Sequence, residues 1–151
     1  MTDLRLSSPA FDDGDRIPEQ YGYAADNVSP PLEIHGVPKA AESLVLVVDD
    51  PDAEEPAGKV WDHWVVWNIP AETGSIAEGT LPDGAGEGEN DYGETGWGGP
   101  NPPDREHTYR FLLYALDTDL DLPADATKDD LYDAASGHTV GKAELHGTFP
   151  V

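Results

Sequence analysis

The sequence predicts a mostly β fold, an antiparallel β-sandwich with a short helix near the C-terminus. Three runs rich in β-branched and aromatic residues have the length of strands: residues 43–49, 63–69 and 107–117. Stretches rich in Gly, Pro and Asp separate them, and only one segment carries a convincing helix start. Strands that alternate with loops favour packed antiparallel sheets. A chain of 151 residues suits one core, so we expect a single domain over residues 1–151.

The N-terminal part of the chain is expected to form short extended segments joined by loops. Residues 4–8 alternate apolar and polar side chains, as a strand does, and residues 21–23 read as extended. Between them, residues 11–20 contain Asp, Gly and Pro and read as a loop. Two consecutive prolines before Leu32 exclude a helix there and leave an edge strand that begins at Leu32.

The next two strands are expected to lie at the centre of the sheet. Residues 43–49 form a continuous apolar run, typical of a strand buried on both faces. Residues 53–62 read as a charged connector, and the strand over residues 63–69 is largely apolar on both faces. Period-two alternation places four of its side chains on one face: His63, Val65, Trp67 and Ile69.

The second half of the chain is expected to hold a long loop, a third strand, the helix and a last strand. Residues 71–99 are Gly-rich and acidic, and a loop of this length in a compact domain is usually functional or mobile. The glycines of residues 84–88 do not have dinucleotide-binding spacing, and no βαβ unit surrounds them. Thr127 suits a helix N-cap because its hydroxyl can accept from a backbone N–H of the first turn, and Asp129 and Asp130 in that turn suit the helix dipole. Residues 142–149 read as the last strand.

The charge balance limits the partners that the protein can have. The chain carries 31 acidic against 8 basic residues, a formal net charge of −23. Such a chain lacks the basic patch that nucleic acid requires, and an anionic membrane surface would repel it. At roughly 1 M salt the Debye length is about 3 Å, so the self-repulsion of the acidic groups would be screened. We therefore expect the protein of a halophile, active in a salt-rich cytoplasm.

The sequence lacks the residues needed for cysteine chemistry, for a membrane-spanning helix and for a signal peptide. The chain has no Cys, which excludes disulfides, a thiol nucleophile and thiolate metal ligands. No apolar run approaches the roughly 18 residues of a membrane-spanning helix. The N-terminus lacks the basic start and apolar stretch of a signal peptide. We expect a soluble cytoplasmic protein with no integral membrane association.

Polar side chains concentrate near the ends of the strong strands. Asp50 and Asp52 follow the first strong strand, and the two carboxylates would share one face if their segment is extended. His63 begins the second strand, and His107 and Tyr109 share a face of the third. Each has a simpler interpretation alone: Asp-Pro-Asp is common in turns, and a strand histidine is often merely hydrogen-bonded. Together they are more polar than a core favours.

These residues also carry a family resemblance. The motifs are Asp-Pro-Asp-Ala at residues 50–53, His-Trp-Val-Val-x-Asn-Ile-Pro at 63–70 and Gly-Pro-x-Pro-Pro-x-x-x-His-x-Tyr at 99–109. In combination, the chain resembles the phosphatidylethanolamine-binding protein family, in particular its small prokaryotic members. The resemblance implies packed β-sheets and a pocket for a small anionic ligand with a phosphate or carboxylate group. It implies these ligand-binding residues: Asp50, Asp52, His63, Gly99, Pro100, His107 and Tyr109.

The resemblance implies a binding protein without a cofactor, in a family associated with phospholipid binding and with inhibition of kinases or serine proteases. The chain departs from the family pattern where Glu54 and Glu55 follow Ala53 and where Thr108 replaces a frequent basic residue. Two alternatives stay open. The Asp and His side chains suit general acid–base catalysis, although no Ser or Cys nucleophile motif is present. They are also acceptable ligands for a divalent metal, although no tight ligand motif supports this.

Overall fold

A computed structural model describes residues 3–151 of the chain, and the expected mostly β architecture is confirmed. The strands in this range are β1 (Arg5–Ser7), β2 (Leu32–His35), β3 (Ser43–Asp50), β4 (Trp61–Pro70), β5 (Ser75–Ile76), β6 (Gly86–Glu87), β7 (His107–Leu116) and β8 (Thr139–Phe149). The α-helices in the same range are α1 (Glu54–Ala57) and α2 (Lys128–Ala135). Short 3-10 helices cover Glu19–Tyr21 and Pro51–Ala53.

The strands form two antiparallel sheets. The larger sheet has the order β6-β4-β3-β7-β8 and the smaller sheet the order β1-β2-β5. The apolar run of β3 lies between β4 and β7, and all eight of its residues are buried. The prediction that the strong strands are central is therefore confirmed for β3 and β4, and β7 completes the middle of the sheet.

The larger sheet is covered on both faces, which explains why its strands are apolar throughout. One face packs against the smaller sheet, with Val48, Trp64 and Phe111 among its buried residues. The other face packs against α2 and the segment before it, through residues such as Val47 and Leu131. Helix α2 begins after Thr127, whose hydroxyl accepts a hydrogen bond from the backbone of Asp130 while Asp130 reciprocates, forming a capping box.

Two β-bulges in β4 change which side chains share a face. Between the pairs Val48–Trp64 and Asp49–Asp62, His63 is an extra residue on β4, so it turns to the face that carries Trp64. A second bulge includes Asn68, which has a positive φ of 54° and places Ile69 on the smaller-sheet face. The prediction that His63 and Ile69 share a face with Val65 and Trp67 was therefore wrong, because simple alternation fails at a bulge.

Three other local predictions need correction. Residues 21–23 are not an extended strand, since Tyr21 ends the first 3-10 helix. The charged connector over residues 53–62 contains α1, and the 3-10 helix before it begins directly after Asp50. The long segment over residues 71–99, expected to be a loop, contains the short strands β5 and β6 and includes buried residues.

Candidate functional site

A cavity of about 170 Å³ lies at one end of the larger sheet, where β3 ends and β4 and β7 begin. The side chains with polar atoms that line it are Asp50, Trp61, His63, Tyr92, Asn101, His107 and Tyr109. Its apolar lining comes from α1, the 3-10 helix before it and the proline-rich loop: Ala53, Pro56, Ala57, Pro102 and Pro103. The cavity therefore combines a polar base from the sheet with apolar sides from the loops.

His107 is held between two carboxylates. Its Nδ1 lies 2.5 Å from Asp50 Oδ2 and its Nε2 lies 2.7 Å from Asp104 Oδ1. Burial opposes a charge on this ring, but the hydrogen bonds and attraction to both carboxylates outweigh it and raise the pKa of His107. Because both ring nitrogens have carboxylate partners, the ring favours the doubly protonated form, and neither N–H is free for a ligand.

Asp50 is fixed by two contacts, one at each carboxylate oxygen. As the N-cap of the 3-10 helix, its Oδ1 accepts a hydrogen bond of 3.0 Å from the backbone N–H of Asp52. Its other oxygen faces His107. Burial raises the pKa of Asp50, against the lowering effect of His107. The Asp50–His107 pair is therefore a buried ion pair that orients both side chains at the edge of the cavity.

His63 has the opposite protonation. Its Nδ1 lies 2.6 Å from the carbonyl oxygen of Gly98 and, as a carbonyl can only accept, this nitrogen carries the proton. The ring is 2% exposed, and burial lowers the pKa of His63 to about 4. The ring is neutral near pH 7, so Nε2 carries a lone pair. Among residues 3–151, Nδ1 is the nitrogen of this ring that makes a hydrogen bond, and the Gly99 carbonyl is a further acceptor close to the ring.

Tyr109 and Trp61 each have a buried polar atom without a hydrogen-bond partner among residues 3–151: the Tyr109 hydroxyl and Trp61 Nε1. The Tyr109 ring is 1% exposed, and its centroid lies 5.2 Å from that of His63. Burial and the nearby charge of Asp50 raise the pKa of Tyr109, and the backbone N–H of Asn101 offsets part of that rise. That N–H does not reach hydrogen-bond geometry, so the hydroxyl of Tyr109 has no partner within the described chain.

The structure brings four of the residues named from sequence to the cavity: Asp50, His63, His107 and Tyr109. Asp52 lies outside it, because the segment after Asp50 is helical rather than extended. Its carboxylate accepts a hydrogen bond of 2.9 Å from the backbone N–H of Thr108. Asp52 therefore ties the 3-10 helix to the start of β7, in a supporting position.

Gly99 and Pro100 do not line the cavity, whereas the next three residues, 101–103, do. The backbone N–H of Gly99 donates to Asn27 Oδ1 at 2.7 Å, and its carbonyl accepts from the Tyr92 hydroxyl at 2.9 Å. The Pro100 carbonyl accepts from the backbone N–H of Tyr23. The Gly99 amide is therefore not a free donor for a ligand, and both residues position the loop.

Two residues beside the cavity were not assigned a role from the sequence. Asp104 Oδ1 accepts a hydrogen bond from Nε2 of His107. The one clue in the sequence is that Asp104 lies three residues before His107 in the same segment. Asn101 lies in the unspecified position of the proline-rich motif, so no signal identified it. Trp61 and Tyr92 also line the cavity.

Within residues 3–151, the structure holds no group of three or more His, Asp or Glu side chains arranged to hold a metal ion. The engagement of both His107 nitrogens with carboxylates is consistent with this. The same residues include no helix that is long and apolar enough to cross a membrane.

Comparison with known proteins gives the same family from sequence and from structure. Residues 7–150 match the sequence model of the family described as phosphatidylethanolamine-binding protein. A UPF0098 protein of Methanothermobacter thermautotrophicus is 47% identical over 151 residues, covering 97% of this chain and 98% of its own.

Two crystal structures have the same fold. The phosphatidylethanolamine-binding protein homologue CT736 from Chlamydia trachomatis superposes with a TM-score of 0.92 at 40% identity, covering 98% of this chain and 97% of that one. Escherichia coli YbcL, described as a member of the mammalian family, superposes with a TM-score of 0.91 at 29% identity and covers 99% of each chain.

Proposed function

The chain belongs to the phosphatidylethanolamine-binding protein family, and on that premise we propose that its cavity binds a small ligand through a phosphate or carboxylate group. The observation that carries the proposal is the pair of unpaired donors, the Tyr109 hydroxyl and Trp61 Nε1. A buried donor without a partner costs roughly 1–3 kcal/mol. An anionic oxygen in the cavity would relieve this cost, because it accepts hydrogen bonds and has none to donate.

One positive charge lies beside the unpaired donors of this acidic chain. The imidazolium of His107 lies close to Tyr109, with ring centroids 6.3 Å apart. Its charge offsets one of the two carboxylate charges that hold it, so this group of three side chains carries one net negative charge instead of two. The apolar side chains around the opening suit an uncharged part of the same ligand.

Binding fits this geometry better than catalysis. A general base near neutral pH needs a pKa close to 7 and a free lone pair. His63 has the lone pair, but burial lowers its pKa to about 4. His107 has the raised pKa, but carboxylates occupy both of its nitrogens. A regulatory protein partner such as a kinase or protease, and a cytoplasmic location, stay predictions from the sequence.

An NMR titration of the histidine rings with methyl phosphate tests the proposal. The chain has five histidines, of which His63 and His107 line the cavity. We expect ring signals of these two to move saturably with ligand. The other three, His35, His138 and His146, are internal controls, because they lie outside the cavity and should stay in place. Uniform shifts of all five rings, or none at millimolar ligand, would exclude the proposed site.

A further inference from the structure

We propose that the cavity selects an oxyanion that carries its own proton, hydrogen phosphate or a phosphate monoester, over sulfate and over a phosphodiester. This inference rests on the proposed function and adds which protonation state the site accepts. It follows from the hydrogen-bonding atoms that Tyr109, Trp61 and His63 present at the cavity. These three residues offer two donors and one acceptor, and a ligand needs both kinds of atom to satisfy all three.

His63 supplies the acceptor. Its Nδ1 proton is committed to the carbonyl of Gly98 at 2.6 Å, a partner that belongs to the backbone and cannot reverse the hydrogen bond. The rings of Tyr92 and Tyr109 pack edge-on against the imidazole, with centroids 5.8 Å and 5.2 Å away, and fix its orientation. The remaining nitrogen, Nε2, therefore presents a lone pair rather than a proton, as burial of the ring also favours.

Tyr109 and Trp61 supply the donors, whose polar atoms are buried and have no partner among residues 3–151. The carboxylate of Asp50 adds a further acceptor beside them, although His107 and the Asp52 amide already occupy it. A monoprotonated phosphate matches this set: its P–OH donates to His63 Nε2 while its other oxygens accept from Tyr109 and Trp61.

Sulfate and phosphodiesters have no proton to donate at neutral pH, so one of their oxygens or ester groups would face the lone pair of Nε2. The lone pair of Nε2 would then be buried without a hydrogen-bond donor. Such an unsatisfied acceptor lowers the affinity for the ligand about tenfold or more. The alternative is protonation of His63, which burial disfavours. The charges that act on this ring are those of Asp49 and Asp91, and with the carbonyls of Gly98 and Gly99 they only partly oppose the effect of burial on the pKa of His63.

The test compares three ligands of similar shape by calorimetric titration of the wild-type protein: methyl phosphate, dimethyl phosphate and methyl sulfate. Methyl phosphate represents soluble monoesters, and dimethyl phosphate represents the diester linkage of a phospholipid headgroup. At about pH 6, near the second pKa of a phosphate monoester, we expect methyl phosphate to bind at least tenfold more tightly than either of the others. Equal affinities for the three ligands would overturn the inference while leaving the proposed function intact, whereas no binding of any of them would overturn both.

A second pH identifies which form of methyl phosphate is bound. At about pH 8 only roughly one molecule in a hundred keeps its proton, so its affinity should fall about tenfold or more relative to pH 6. Dimethyl phosphate has no proton to lose, and its affinity reports any change in the protein itself. A ratio of the two affinities that rises from pH 6 to pH 8 would show that the dianion binds, and would overturn the inference.

His63→Asn provides the variant test. The Asn amide reaches the position of Nδ1 and keeps a donor for the Gly98 carbonyl, but it removes the acceptor at Nε2. We expect the preference for methyl phosphate over methyl sulfate to fall at least tenfold. The matched control, His138→Asn, changes an exposed histidine that pairs with Asp117 away from the cavity and should keep the full preference. A preference that persists in His63→Asn would assign the selectivity to other atoms.

Discussion

Replacing Tyr109 with Phe removes one oxygen atom and separates stability from ligand binding. The hydroxyl is buried and its proton has no acceptor among residues 3–151, so the folded protein loses no internal hydrogen bond. Removal of an unpaired buried polar group is neutral or stabilising, and we expect the free energy of unfolding to rise by up to about 1 kcal/mol. In the complex the same hydroxyl would donate to an anionic oxygen. Its loss should weaken methyl phosphate binding roughly tenfold to a hundredfold, since hydrogen bonds to charged groups contribute about 1.5–3 kcal/mol.

Tyr21→Phe is the matched control for this prediction. Tyr21 is equally buried, but its hydroxyl donates to Glu78 Oε1 at 2.5 Å. The same substitution there should lower the free energy of unfolding by about 1–3 kcal/mol and leave methyl phosphate affinity unchanged. Urea denaturation and calorimetry of the two variants measure both quantities. The reasoning is refuted if Tyr109→Phe destabilises the fold as much as Tyr21→Phe, or if its affinity for methyl phosphate equals that of wild type.

Three further predictions concern acid, the helix cap and salt. Because burial lowers the pKa of His63 to about 4, the unfolded state binds more protons below pH 6.5, and this ring reduces stability as pH falls towards 4. Between pH 7 and pH 4.5, urea titrations should show that the free energy of unfolding of wild type falls by roughly 2 kcal/mol more than that of His63→Asn. Equal decreases in the two proteins would contradict a neutral His63 ring in the folded state. Thr127→Ala removes the cap of α2 and should lower the free energy of unfolding by about 1 kcal/mol, whereas Thr127→Ser should retain most of it. With a net charge of −23, the free energy of unfolding should rise as KCl is added towards about 1 M; a flat dependence would contradict the predicted halophilic character.

The strands were predictable because hydrophobic pattern and composition decide them. The buried run of β3 and the apolar faces of β4 and β7 are visible in sequence, and Thr127 marks the start of α2. The two bulges of β4 were not predictable, since nothing in a period-two pattern shows where one residue is extra. Asn68 is the one local clue: its side chain bonds both the carbonyl and the amide of Leu120, and Asn tolerates a positive φ better than most residues.

The residues at the cavity were predictable as a group, but their chemical states were not. Motif spacing indicated that Asp50, His63, His107 and Tyr109 meet. The protonation of the two imidazoles depends on their hydrogen bonds: His63 Nδ1 contacts Gly98, and His107 Nε2 contacts Asp104. No sequence pattern reveals these contacts. The bulge at His63 matters most here, because it turns the ring to the face where Tyr109 lies. Two histidines that look equivalent in the sequence therefore differ, one a neutral acceptor and the other a cation.

The most direct measurement is a crystal structure of the protein in complex with methyl phosphate. We expect the phosphate group inside the cavity, with one oxygen about 2.6–2.9 Å from the Tyr109 hydroxyl and another within hydrogen-bond distance of His63 Nε2. The His107 ring should keep both of its carboxylate partners. A saturated crystal with phosphate elsewhere on the surface, or with the cavity holding only water, would contradict the account.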